Sequence, residues 1–98
     1  MIPALPLFNH KVIAADAAIT TESSHRVMHI ILAAGAAAAA TLELNNSDDG
    51  SGTDLISVNA VTGSTEVVDL AAIGGILFSA GIYADIGGAG AAAYIRWD

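Results

Sequence analysis

The chain has 98 residues, of which 54% are hydrophobic and only 13% charged, and it contains no cysteine. That length holds one domain with a single core, and the missing thiols exclude a disulfide staple and a thiolate metal site. Soluble domains carry about 25% charged residues, so a chain this poor in charge is expected to hide apolar surface against other copies or another protein. The net charge of −7 leaves Lys11, Arg26 and Arg96 as the strong cations. Nucleic-acid affinity rests on Lys and Arg neutralising phosphates, and three scattered cations form no such footprint, so no nucleic-acid partner is expected.

Residues 1–13 are apolar, lack a basic start and are broken by Pro3 and Pro6. They do not read as a secretion signal, and the prolines favour extended backbone. They read as an arm whose Ile2, Leu5, Leu7 and Phe8 dock on a partner. Residues 14–24 read as a small-residue connector, which gives an arm and connector over 1–24 and a body over 25–98. The longest apolar stretch, 27–42, contains His29, Gly35 and Thr41 and falls short of the ~20 residues a bilayer span needs, so no membrane partner is expected.

The body reads as short strands divided by turn chemistry. Strands are expected over 25–33, 36–44, 54–60, 66–70, 76–79, 82–86 and 91–97. Period-two alternation is visible where Leu42 and Leu44 alternate with Thr41 and Glu43, and where Ile82, Ala84 and Ile86 alternate with Tyr83 and Asp85. Such alternation buries one face of a strand. The class expected is all-β, an antiparallel β-sandwich or jelly-roll-like barrel. The competing element is a helix through 33–40, because alanine is the best helix former and is depleted in strands; an alanine strand instead suits a place where two backbones approach closely, as at a crowded subunit axis.

Motifs that carry chemistry are weak. His25 and His29 could share zinc on a helix, but on a strand they stand about 13 Å apart. Gly88, Gly90 and Ala93 match a dinucleotide fingerprint that needs a following helix and a distant acid, and the sequence ends at Asp98. The segment Gly87 to Gly90 reads better as a hairpin turn with positive φ. Asp48, Asp49 and Asp54 suggest calcium, yet the EF-hand register puts Ile56 where a bidentate Glu is needed. Asn45-Asn46-Ser47 fits a glycosylation acceptor. No GxSxG elbow, catalytic carboxylate pair or Ser/His/Asp ordering emerges, so the chain reads as a non-enzyme without a cofactor. Tyr83, Tyr94, Trp97 and Phe78 crowd the last quarter and read as cross-strand core packing, with Arg96 and Trp97 as alternative interface anchors.

The stretches AAAATLELNNSDDGSGTDLISVNA and GGILFSAGIYADIGGAGAAAYIRWD resemble small virion proteins of tailed bacteriophages, the auxiliary head proteins of the decoration or cement type. The resemblance spans residues 25–98. It implies a β-sandwich that trimerises on a capsid surface and locks neighbouring shell subunits together, with the major capsid protein or another virion protein as partner. The function expected is therefore a homo-oligomeric capsid decoration protein on the virion surface, a trimer by preference. The alternatives are a receptor- or glycan-binding module of a phage tail or head fibre, for which the loop 45–53 is suited, and an oligomeric small-ligand binder.

Overall fold

The computed structural model describes residues 9–98. In chain order these form β1 (Asn9–Ile13), β2 (Ala17–Thr20), β3 (His25–Ala33), β4 (Ala40–Asn46), β5 (Thr53–Ala60), β6 (Thr65–Asp69), a 3-10 turn (Ala71–Ile73), β7 (Ile76–Phe78), β8 (Ile82–Gly87) and β9 (Ala92–Trp97). Alternation explains the strands. Ala40, Leu42 and Leu44 of β4 are buried while Thr41 and Glu43 are exposed, and β9 buries Ala93, Ile95 and Trp97. Burying such a side chain stabilises the fold by about 1.5–3 kcal/mol, and Phe78, Ile30, Leu32, Leu42, Leu44, Ile82, Ile95 and Val27 are all fully enclosed.

Two antiparallel sheets face each other across this core. Sheet A runs β1-β9-β3-β6, with β7 paired to β3 beyond the end of β6; sheet B runs β2-β8-β4-β5. The pairs are nested: β1 with β9, β2 with β8, β3 with β6 and β7, and β4 with β5. The chain is thus a long hairpin wound over both sheets, a jelly-roll-like β-sandwich. Three single-residue bulges adjust the phase, each placing an extra residue opposite its partner strand. Met28 lies between Val27 and His29 in β3, Leu55 between Asp54 and Ile56 in β5, and Ile19 between Ala18 and Thr20 in β2. The first explains how Val27 and Ile30, an odd interval apart, both face inward.

The all-β expectation holds, and three of its details change. The arm and connector, expected outside the body over 1–24, contribute both β1 and β2 to the sheets, and Ile13 and Ile19 are core residues at 6% exposure each. The reason is non-local: β9 and β8 each leave an edge that these short segments pair. Lys11 then reaches from β1 to β2, its Nζ donating to the Ala18 carbonyl at 3.2 Å.

The alanine run over 33–40 becomes neither a helix nor a continued strand. Between the last residue of β3 and the first of β4 it is an irregular loop. A Cβ on Gly35 would collide with the Ala89 carbonyl, and one on Gly88 with the Ala39 carbonyl. The close backbone approach that small residues permit is therefore made within one chain, between this loop and the β8–β9 turn. That turn is not a hairpin, because β8 and β9 lie in different sheets. It carries the chain across the sandwich, and Gly88 and Gly90 do adopt positive φ there, +107° and +77°.

Candidate functional site

The strand registers arrange the outer face of sheet A in three rows across β1, β9, β3 and β6, beyond which Arg26 of β3 pairs with Leu77 of β7. In the middle row Val12 opposes Tyr94, Tyr94 opposes Ile31 and Ile31 opposes Val67, so the row is apolar from one edge to the other. Val12 and Val67 are 66% and 55% exposed, and Ile31 and Tyr94 are half-buried. On one side runs the polar row His10, Arg96, His29 and Asp69; on the other, Ala92, Ala33 and Thr65. The His10 ring stacks on Tyr94 with centroids 5.7 Å apart, which covers part of the aromatic face. Met28, His29, Asp69, Ala71 and Arg96 line a shallow cavity of about 280 Å³ at the polar row. Leu55, Val61, Ile73 and Leu77 are also exposed, in or beside β5, β6 and β7.

Sheet B presents the opposite chemistry. Asp85 opposes Glu43 and Glu43 opposes Ser57 on its outer face. A second cavity of about 190 Å³ is lined by Glu43, Asn45, Gly50, Gly52, Asp54, Tyr83 and Asp85. A hydrogen bond with Asp54, together with the charge of that residue, pushes the Glu43 carboxyl up from its ordinary range. The charge of Asp16 does the same to Asp85. Asp16 is fixed beside β8, where its carboxylate accepts from the Ile86 amide at 2.8 Å. Lys11, Arg26 and Arg96 all belong to strands of sheet A, beside Glu66 and Asp69, whereas the charged residues of the sheet B strands are all acidic.

The β4–β5 loop is organised by Asn45, which is 5% exposed. Its Nδ2 donates to the Gly52 carbonyl at 2.8 Å and to Asp54 Oδ1 at 2.9 Å. Its Oδ1 accepts from the Gly52 amide at 2.9 Å and from the Ser47 hydroxyl, whose oxygen in turn accepts from the Gly50 amide. All four hydrogen-bonding positions of the amide are thus used. The glycosylation pattern therefore falls on a side chain enclosed by its own loop. Asp49 is engaged as well: it accepts from the Ser51 amide and hydroxyl, which pull its carboxyl below the ordinary range.

The other residues singled out from sequence are scattered. Ile2, Leu5, Leu7 and Phe8 lie outside the described residues. Arg96 is on the outer face of sheet A, whereas Trp97 points inward at 8% exposure. Alternation along β9 allows only one of the two to face outward, so Trp97 is core rather than an interface anchor. His25 and His29 share β3; His25 Nδ1 lies 2.8 Å from the Asp98 backbone oxygen and Nε2 lies 3.5 Å from the Glu22 carboxylate. Gly88 and Gly90 lead into strand β9 instead of the helix a dinucleotide site requires. Among the described residues no group of three or more His, Cys, Asp or Glu is placed to hold a metal ion, and no helix is long and apolar enough to cross a membrane. The row Val12, Tyr94, Ile31 and Val67 is assembled from four separate strands and forms no motif in the sequence. Its one local signal is the unbroken run Ile30, Ile31, Leu32, which gives β3 apolar side chains on both faces. No family model, curated protein or solved structure matches the chain.

Proposed function

We propose that this chain is a structural virion protein of the capsid decoration or cement type, a homo-oligomer that binds the outer shell and stabilises contacts between shell subunits. The observation that carries the reading is the apolar row across the open face of sheet A, which suits contact with protein better than contact with water. Support also comes from the low charge of the chain and from the resemblance of residues 25–98 to such proteins. The test is reconstitution. Purified protein added to tailed-phage particles stripped of their native copy is expected to bind saturably and to raise the temperature at which the particles open. Absence of saturable binding overturns the reading.

A second reading, a receptor- or glycan-binding module, is favoured by one feature, the cavity of sheet B. There the Tyr83 ring offers a stacking surface and the carboxylates of Glu43, Asp54 and Asp85 offer acceptors for hydroxyl groups. Glycan binding that is lost in Tyr83→Ala, with no binding to particles, would favour this reading over the first.

A further inference from the structure

We infer that the exposed face of sheet A is the contact with a second copy of this chain, packed face to face about a two-fold axis that runs parallel to the strands between β9 and β3. This deepens the homo-oligomeric reading above and rests on it. Rotation about such an axis keeps each row at its own level and exchanges columns, so β1 lies over β6 of the other copy and β9 over its β3. The middle row reads Val12, Tyr94, Ile31, Val67 across the sheet, with the larger side chains central and a valine at each edge. It is self-complementary under that rotation, as an isologous interface requires: valine meets valine, and the tyrosine meets the isoleucine. The polar row matches at its ends. His10 comes over Asp69, and Arg96 comes over His29.

The alternatives are worse electrostatically. Sheet B packed on sheet B would bring Glu43, Asp54 and Asp85 against their own copies, adding like charges to a face where Asp54 already pushes the Glu43 carboxyl up. Sheet A packed on sheet B would bury those carboxylates against valine and isoleucine, and a charge taken from water without a partner is strongly unfavourable. A two-fold axis perpendicular to the strands would set Arg96 over the alanine row and leave Asp69 without an opposite charge. In size, four strands at about 4.8 Å spacing and roughly six residues rising ~3.3 Å each make a platform of roughly 19 by 20 Å. That outline, roughly 380 Å², lies below the roughly 600–1,000 Å² per partner that stable interfaces bury, so the dimer is expected to be weak, with a dissociation constant on the order of tens of micromolar.

The chain has no cysteine, so single thiols can be placed at will. Val12→Cys and Val67→Cys, both at exposed positions, are prepared separately and treated with a short bis-maleimide alone or as an equimolar mixture. The two-fold contact brings Val12 of one copy over Val67 of the other, whereas like positions stand about 14 Å apart laterally, three strand spacings. The mixture is expected to give at least about fivefold more linked dimer than either variant alone. Sedimentation equilibrium of Val67→Asp, checked for an unchanged far-ultraviolet spectrum, is expected to show the dimer weakened by at least about tenfold. A wild-type monomer at about 100 µM would overturn this contact and the homo-oligomeric reading together. An oligomer, including a three-fold one, that shows no preference for the mixed link would overturn the two-fold contact alone.

Discussion

Replacing Asn45 by alanine removes the whole organiser of the β4–β5 loop. Four hydrogen bonds disappear, to the amide and carbonyl of Gly52, to Asp54 and to Ser47. Gly52 and Asp54 are exposed and can turn to water, while Ser47 is 8% exposed and stays largely enclosed. A net hydrogen bond contributes about 0.5–1.5 kcal/mol, and the two water-accessible partners recover part of that, so the expected loss is about 2–3 kcal/mol. In a domain of this size each kcal/mol corresponds to roughly 4–8 °C, and Tm should fall by about 10–20 °C. The assay is thermal unfolding by circular dichroism at one fixed protein concentration, because self-association makes Tm concentration-dependent. Asn45→Asp provides the internal control. It keeps the shape but turns an acceptor toward the Gly52 carbonyl and Asp54, so it should be at least as unstable at pH 7. Its new carboxyl would have a raised pKa in the folded state, and stability should return as pH falls through that pKa. A drop of less than about 3 °C in Asn45→Ala would refute the view that this amide holds the loop.

Gly88→Ala places a Cβ against the Ala39 carbonyl at φ +107° and is expected to cost about 1–3 kcal/mol, read as a fall in urea midpoint. Glu43→Gln removes one member of a repelling pair. A carboxyl whose folded pKa is raised destabilises the fold above that pKa and regains stability as pH falls through it, so the variant should melt higher than wild type at pH 7, with the gap closing on acidification below the carboxylate range. Deleting residues 1–8 is expected to leave a folded body with reduced occupancy on particles. Deletion through Ile13 also strips β9 of its edge partner and removes a core side chain, a loss of several kcal/mol in a domain whose total stability is about 5–15 kcal/mol; equal Tm values for the two truncations would contradict the placement of β1.

The strands that alternate strictly were legible in the sequence because burial of one sheet face acts on nearest neighbours. The expected segment 82–86 falls within a residue of β8, and 25–33 and 54–60 match β3 and β5 to within a residue although a bulge breaks the alternation of each. Turn chemistry was equally local, as the positive φ of Gly88 and Gly90 shows. The alanine run was ambiguous for a physical reason: alanine carries no apolar–polar period, so its path was decided by what it packs on, the turn at the far end of β8. Residues 9–20 carry no local mark of their strands because β1 and β2 gain their order from β9 and β8, whose edges lie more than sixty residues further along the chain. Trp97 and Arg96 are neighbours in sequence, and only the phase of β9 sends one into the core and the other to the surface. The row Val12, Tyr94, Ile31 and Val67 exists in no stretch of sequence. Four strands drawn from distant parts of the chain had to be set in register before those side chains shared a face, and register is fixed by the core they do not belong to.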